Sequence, residues 1–150
     1  MEIARESPDQ PEVVQLIRDL DDYQRPLYPP ESYHGVDLAT LLQPNVIFVV
    51  ARDATRTAVG CGGVMLMPDY GELKRMYVRP ADRGRGIAQA MLALVEEEAR
   101  RAGCTLLMLE TGTLQLEALT FYERAGYTRR PPFGEYWDDP HSVFMEKRLS

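Results

Sequence analysis

The stretch that decides the fold spans residues 74–103 and reads KRMYVRPADRGRGIAQAMLALVEEEARRAG. An apolar strand ends at Val78, and Pro80 prevents its ladder from continuing because proline has no N–H to donate. Apolar residues at helical spacing then predict an amphipathic helix that begins near Ile87 and stops at Gly103. A strand–turn–helix unit with glycines at its junction is therefore the centre of the predicted fold.

The turn before this helix is typical of an anion site. The first N–H groups of a helix have no internal partner, and the helix dipole adds partial positive charge there. Gly84 and Gly86 allow unusual backbone dihedrals and close approach to a ligand, while Arg83 and Arg85 add charge. The sequence therefore predicts a phosphate cradle at this turn.

Two familiar phosphate-binding motifs fit this turn poorly. A Walker loop needs Gly-Lys-Ser/Thr, which the turn lacks. A dinucleotide fingerprint needs GxGxxG, and here Gln89 stands where the last glycine should be. A dinucleotide-binding protein remains an alternative, with only partial support.

The remaining chain predicts an α/β or α+β fold with a mixed sheet and helices on its faces. The predicted order is strand, two helices, three strands, helix, strand, helix and two strands. Leu114 is predicted on the inner face of the last helix, which should cover residues 114–126. The predicted strands cover residues 1–6, 45–52, 58–67, 71–78, 104–110, 127–130 and 142–149, and the other helices cover 7–24, 36–42 and 87–103.

Composition excludes several functions. The net charge of −6 argues against non-specific nucleic-acid binding. No run approaches the ~20 apolar residues of a membrane helix, and the polar N-terminus is unlike a signal peptide, so we expect a cytoplasmic protein. Cys61 and Cys104 form no CxxC pair and are interpreted as buried, reduced thiols. Two isolated histidines, His34 and His141, predict no metal site.

The spacing Arg/Gln-x-x-Gly-x-Gly/Ala is satisfied by Arg83, Gly86 and Ala88. With the surrounding ELKRMYVRPADRGRGIAQAML and the downstream LETGTLQLEALTFYERAGY, the chain resembles the GCN5-related N-acetyltransferases (GNAT) from about Asn45 to its end. The resemblance implies one GNAT domain over residues 1–150, with a mixed, mostly antiparallel central sheet. It also implies acetyl-coenzyme A as donor and a primary amine of a small molecule or peptide as acceptor.

The resemblance assigns two catalytic residues. Tyr122 matches the tyrosine that gives its proton to the coenzyme A sulfur, although helical spacing also suits a core aromatic. Glu72 begins a strand on which members often carry a base. Strand alternation places it on the same face as Lys74, Met76 and Val78, so a strand-end carboxylate that is paired with Lys74 or solvated is the alternative. Glu110, at the end of the next strand, is the rival base.

The resemblance also implies how the coenzyme is held. The strand edge at Met76 and Val78 would pair with the pantetheine arm, and N–H groups between Gly84 and Ala88 would hold the pyrophosphate. Gln115 stands where many members carry asparagine, and its amide offers the same donor and acceptor at longer reach. The full set of predicted coenzyme-binding residues is Met76, Tyr77, Val78, Arg83, Gly84, Arg85, Gly86, Ile87, Ala88, Gln115, Ala118 and Tyr122.

The resemblance places the amine beside the loop YPPESYHG and the tail PPFGEYWDDPHSVF. Carboxylates among aromatics suit a cation, but they also describe a solvated loop. The candidate acceptor-binding residues are Glu31, Tyr33, His34, Glu110 and Tyr136.

No cysteine is well placed as a nucleophile, so direct transfer in a ternary complex is expected. The main alternative is a non-catalytic coenzyme A-binding regulatory module. The expected partners are acetyl-coenzyme A and an amine, without nucleic acid or membrane, and any oligomer should be a two-fold homodimer.

Overall fold

Seven strands form one sheet in the computed structural model, which describes residues 1–33 and 35–149. The strands are β1 (Glu2–Arg5), β2 (Val46–Arg52), β3 (Ala58–Leu66), β4 (Gly71–Val78), β5 (Leu106–Gly112), β6 (Thr128–Arg130) and β7 (Ser142–Arg148). Their spatial order is β1-β2-β3-β4-β5-β7-β6. Every neighbouring pair is antiparallel except β4 and β5, which are parallel. The predicted fold class, a mixed and mostly antiparallel sheet, is confirmed.

The helices follow the predicted order, with corrected boundaries around β5. They are α1 (Pro11–Gln24), α2 (Leu38–Leu41), α3 (Ile87–Arg101) and α4 (Leu116–Arg124). The prediction that Leu114 lies on the inner face of the last helix is wrong. Gln115 occupies the N-cap position of α4, and Leu114 precedes it with 57% of its surface exposed. The chain uses these residues for a turn because β5 continues to Gly112, two residues beyond the predicted end.

The core has two main layers, one on each face of the sheet. On one face, apolar residues of α3 and α4 pack against the central strands, with Met91 and Val95 fully buried. On the other face, α1 packs against β3 and β4 and buries Val13 and Leu16. The apolar residues at helical spacing in α1 and α3 therefore lie on the helix face that packs against the sheet.

A bulge in β4 changes which side chains share a face. Arg75 has a φ of 60°, and the β3–β4 register shifts beside it. One extra residue on β4 reverses the alternation beyond the bulge. Met76 and Val78 therefore pack on the α3 side, whereas Glu72 lies opposite Met65 on the other face. The prediction that Glu72 shares a face with Met76 and Val78 is wrong for this reason.

The two parallel strands separate after a short contact. β4 and β5 pair at Gly71–Leu107 and at Glu72–Met108. Beyond these positions, the segments 73–76 and 109–112 line a cavity between the strands. The sheet thus opens at the end where β4 leads into the glycine turn and α3.

The cysteine prediction is confirmed for one residue and corrected for the other. Cys61 is fully buried in β3. Cys104 is only partly buried and precedes β5, because that strand begins at Leu106. In the described part of the chain, no helix combines the length and apolar character needed to cross a bilayer.

Candidate active site

Three adjoining depressions run from the start of α3 into the gap between β4 and β5. The first, which we call the α3–α4 cleft, has a volume of about 670 Å³ and includes Gly86 in its wall. A connecting cleft of about 210 Å³ shares Val78 and Phe121 with it. The inner cavity, of about 100 Å³, shares Gln115 and Tyr122 with the connecting cleft. A continuous path therefore leads from the helix terminus to the opening in the sheet.

The glycine turn has the backbone conformation of an anion site. Gly84 and Gly86 have φ values of 81° and 78°, which L side chains rarely adopt. A Cβ at either position would meet nothing within 4 Å, so this side of the backbone is open. The helix N-cap is Gly86, and the first helical bond runs from Ala90 N to Gly86 O. The N–H groups of Ile87 and Ala88 therefore precede the helical ladder.

The basic residues predicted at this turn do not form one patch. Arg83 donates from Nε to Val78 O at 2.9 Å, and its guanidinium lies 5.6 Å from the Tyr77 ring centroid. Arg85 Nη1 lies 3.8 Å from Oδ1 of the buried Asp82, which offsets part of the positive charge of Arg85. The charge that the turn presents is therefore smaller than the sequence alone suggests.

Two further cations lie on the opposite face of the sheet. Arg75 pairs with Asp21 of α1, and Lys74 pairs with Glu72 at 2.9 Å. Lys74 shares the face of Glu72 by ordinary alternation, and the bulge leaves the Arg75 side chain on that same face. Lys74 and Arg75, although close to the turn in sequence, therefore lie apart from Arg83 and Arg85.

Sequence reasoning missed several residues of the α3–α4 cleft. Gln89, Leu116, Thr120 and Arg124 line it. The three on α4 follow i, i+4 and i+8 spacing, which marks one helix face beside the buried stripe. That spacing could have identified this face as a ligand wall.

Tyr122 lies where the connecting cleft meets the inner cavity. The residue is 8% exposed, and its ring packs edge-on against Phe121 and Tyr127 at 5.2 and 5.6 Å. Burial raises the pKa of Tyr122 above that of an ordinary phenol. Its hydroxyl therefore stays protonated at neutral pH. Tyr122 is therefore a core aromatic that also lines the cleft, and its role as proton donor stays a prediction.

Glu110 lines the inner cavity together with Tyr122. Burial raises the pKa of Glu110 to about 7, and repulsion from Glu72 and Asp139 acts in the same direction. The Ser142 hydroxyl, which donates to Glu110 Oε2 at 2.8 Å, and the charge of Lys74 partly oppose this rise. Glu110 can therefore gain or lose a proton near neutral pH.

Glu72 lies in a separate depression, the outer cleft, which has a volume of about 520 Å³. Its carboxylate accepts a hydrogen bond from the Tyr136 hydroxyl and is paired with Lys74. Lys74 Nζ also donates to the Tyr136 hydroxyl at 2.6 Å. Lys74 and Val36 line both the outer cleft and the inner cavity, so the two spaces adjoin.

Gln115 is held by its oxygen. Its Oε1 accepts from Gly112 N at 3.1 Å and from the Tyr28 hydroxyl at 3.3 Å. The Tyr28 hydroxyl also accepts from Leu114 N at 3.2 Å. These hydrogen bonds join the loop after α1 to the turn before α4. The Gln115 side chain held in this way forms part of the wall of the inner cavity.

The predicted acceptor residues are only partly brought together. Tyr33 and Glu110 line the inner cavity, whereas Tyr136 lines the outer cleft. Glu31 is exposed in the 3₁₀ turn Pro30–Ser32, and His34 lies outside the described residues. Within 1–33 and 35–149, the His, Cys, Asp and Glu side chains form no group of three or more that could hold a metal ion.

Comparison with known proteins agrees with this geometry. The sequence model of the Acetyltransferase (GNAT) family matches residues 13–127. An "IAA acetyltransferase" of Azospirillum brasilense is 50% identical over 149 residues, which cover 98% of this chain and 97% of that protein. An aminoalkylphosphonate N-acetyltransferase of Salmonella typhimurium is 32% identical over 123 residues, covering 77% and 73%. A crystal structure from Klebsiella pneumoniae, described as an acyl-CoA N-acyltransferase, has a TM-score of 0.85 at 37% identity and covers 99% and 97%.

The open β4–β5 pair and the matches together define an enzyme of the N-acyltransferase class. The chain belongs to the acetyltransferase (GNAT) family, whose acyl donor is acetyl-coenzyme A. The predicted family and donor are confirmed.

Proposed function

We propose that this enzyme transfers an acetyl group from acetyl-coenzyme A directly to a primary amine of a small molecule or peptide. The observation that carries the proposal is the continuous path from the α3 terminus to the cavity walled by Tyr122 and Glu110. The relative named aminoalkylphosphonate N-acetyltransferase supports an amine as acceptor.

The residues of the α3–α4 cleft fit a pyrophosphate group. Gly84 and Gly86 leave the backbone open, and the N–H groups at the start of α3 precede the helical ladder. We assign Gly84, Arg85, Gly86, Ile87 and Ala88 to the pyrophosphate. When bound, acetyl-coenzyme A supplies an acetyl group activated as a thioester.

The connecting cleft fits the arm that links the pyrophosphate to the thioester. Met76, Tyr77 and Val78 line it, at the part of β4 that lies beyond its pairing with β5. We assign this strand edge to the pantetheine arm, with Ala118 and Gln115 on the opposite wall. Arg83 fixes the end of the strand through its bond to Val78 O.

We assign Glu110 as the base that takes a proton from the acceptor ammonium. Its pKa of about 7 leaves a substantial carboxylate fraction at neutral pH, and it lines the same cavity as Tyr122. Ser142 occupies Oε2, so Oε1 is the oxygen that we assign to the amine. Glu72 stays the alternative, but it lines the outer cleft and is already paired with Lys74.

We assign Tyr122 as the proton donor to the leaving thiolate. Its raised pKa keeps the proton on Oη until a stronger base is formed nearby. Direct transfer is consistent with Cys61, whose pKa burial raises to about 12, so that the thiol stays protonated.

The acceptor body would extend from the inner cavity into the outer cleft. The inner cavity, at about 100 Å³, is smaller than the roughly 300–1,000 Å³ of sites that enclose a drug-sized ligand. The outer cleft adds Glu135 and the aromatic rings of Tyr70 and Tyr136, which suit a cationic group. We further propose that the enzyme is cytoplasmic and that it forms a two-fold homodimer. Analytical sedimentation can test the dimer.

A coupled assay tests the proposal. Purified protein, acetyl-coenzyme A and a panel of primary amines are mixed, and release of free thiol is followed with mass detection of the acetylated amine. Amine-dependent thiol release with formation of the acetamide supports the proposal. Coenzyme binding, seen as a rise in melting temperature, without acetylation of any amine would instead favour the non-catalytic module.

A further inference from the structure

The wall of the inner cavity includes Ser32, whose hydroxyl is buried. The residue is 6% exposed, and its Oγ has no hydrogen-bond partner among the residues that the structure describes. It lines the same cavity as Glu110 and Tyr122. A buried hydroxyl without a partner costs about 1–3 kcal/mol, so such a group points to a ligand that completes it.

The segment that carries Ser32 is fixed by its neighbours. Ser32 N donates to Pro29 O at 2.9 Å within a turn that two prolines restrict. The next residue, Tyr33, accepts at its hydroxyl from Arg75 Nη1 at 3.1 Å. The backbone that carries Ser32 is therefore fixed before any acceptor arrives, which reduces the entropy lost on binding.

Two other polar residues of the cavity wall, Tyr28 and Gln115, are already hydrogen-bonded. Tyr28 bonds Gln115 and Leu114 N, and Gln115 Oε1 also bonds Gly112 N. Ser32 Oγ, which is buried and unsatisfied within the described residues, suits a second polar atom of the acceptor, and the Oε1 oxygen of Glu110 suits the reacting nitrogen. A cavity of about 100 Å³ suits an acceptor in which these two atoms are only a few bonds apart.

We propose that Ser32 determines acceptor specificity by hydrogen bonding to a hydroxyl or carbonyl oxygen three or four bonds from the reacting nitrogen. The acceptors are therefore β-hydroxy, γ-hydroxy or α-carbonyl primary amines rather than plain alkylamines. This inference rests on the proposed function, because it takes Glu110 and Tyr122 as the reacting end of the cavity.

Matched amines test the inference. 2-Aminoethanol is compared with propylamine, and 3-aminopropan-1-ol with butylamine, in the thiol-release assay. We expect the wild-type enzyme to favour the hydroxylated member by about 10-fold or more in kcat/KM, since one hydrogen bond to a buried group has this effect. Ser32→Ala should bring the ratio close to one by lowering kcat/KM for the hydroxylated amine alone.

Controls separate this role from a structural one. Ser7→Ala removes an exposed hydroxyl that accepts from Asp9 N, and it should leave the ratio unchanged. Ser32→Ala should keep the same rise in melting temperature with coenzyme A as the wild type. Ser32→Cys, which nearly preserves volume but bonds weakly, should lower the ratio in the same direction if Ser32→Ala fails to fold.

The outcomes are distinguishable. Acetylation of amines with the same hydroxyl preference in wild type and in the Ser32 variants overturns the inference and leaves the proposed function standing. Equal rates for both members of each pair in the wild type also overturn it. Thiol release with none of a broad amine panel overturns the proposed function, and the inference with it.

Discussion

Replacing Glu110 with glutamine should reduce turnover and yet stabilise the protein at alkaline pH. The amide cannot take a proton from the amine, so kcat/KM should fall by about 10²–10⁴-fold. It keeps the shape of the carboxyl group, and its oxygen can still accept from Ser142. The change therefore removes mainly one titration from a buried site.

The size of the stability change follows from the pKa of Glu110. Folding raises the pKa of Glu110 from 4.5 to about 7, so the folded protein holds this proton to higher pH than the unfolded chain does. Ionisation then favours the unfolded chain, and stability falls as pH rises from about 4.5 to about 7. At roughly 1.4 kcal/mol per pH unit, the loss is about 3 kcal/mol at pH 8. Glu110→Gln does not suffer this loss.

Thermal unfolding between pH 4.5 and 8 measures the effect. The variant should match the wild type near pH 4.5 and melt higher at pH 8 by about 6–12 °C, at roughly 2–4 °C per kcal/mol for this chain length. Glu123→Gln, which changes an exposed carboxylate, is the control and should show no such trend. A stability difference that is constant with pH, or a variant less stable at pH 8, would refute the reasoning.

Three further predictions address the donor, the coenzyme and the thiol. Tyr122→Phe should lower kcat by about 10²-fold or more, while coenzyme A still raises the melting temperature. The control is Tyr127→Phe, which removes a buried hydrogen bond to Glu96. It should lower the free energy of unfolding by about 1 kcal/mol and leave turnover intact. Gly86→Ala should weaken coenzyme A binding, as measured by calorimetry. The control is Gly103→Ala, at a residue with a similar φ of 88°, which should lower stability without changing the affinity for coenzyme A. Equal affinities in both variants would contradict a phosphate cradle at Gly86. After treatment with an alkylating reagent at pH 8, mass spectrometry should show Cys61 unmodified, and the enzyme should retain its turnover. The reason is that burial raises the pKa of the Cys61 thiol to about 12, so the reactive thiolate is scarce.

The sequence by itself determined the strand–turn–helix unit, at which it also predicts an anion site. Proline after Val78, glycines at 84 and 86, and apolar spacing from Ile87 act through near neighbours along the chain, so they can be interpreted without tertiary information. The order of all elements was predictable for the same reason. Tyr122 could be named as a candidate from its motif.

Only the tertiary structure decided which groups share a cavity. The bulge at Arg75 moves Glu72 away from Met76, and a rule of strict alternation cannot foresee one extra residue. Glu110 became the favoured base because burial, together with Ser142 and Asp139 from distant segments, sets its pKa. Local pattern fixes backbone conformation, but proton affinity and pairing depend on surroundings that form only when distant parts of the chain pack together.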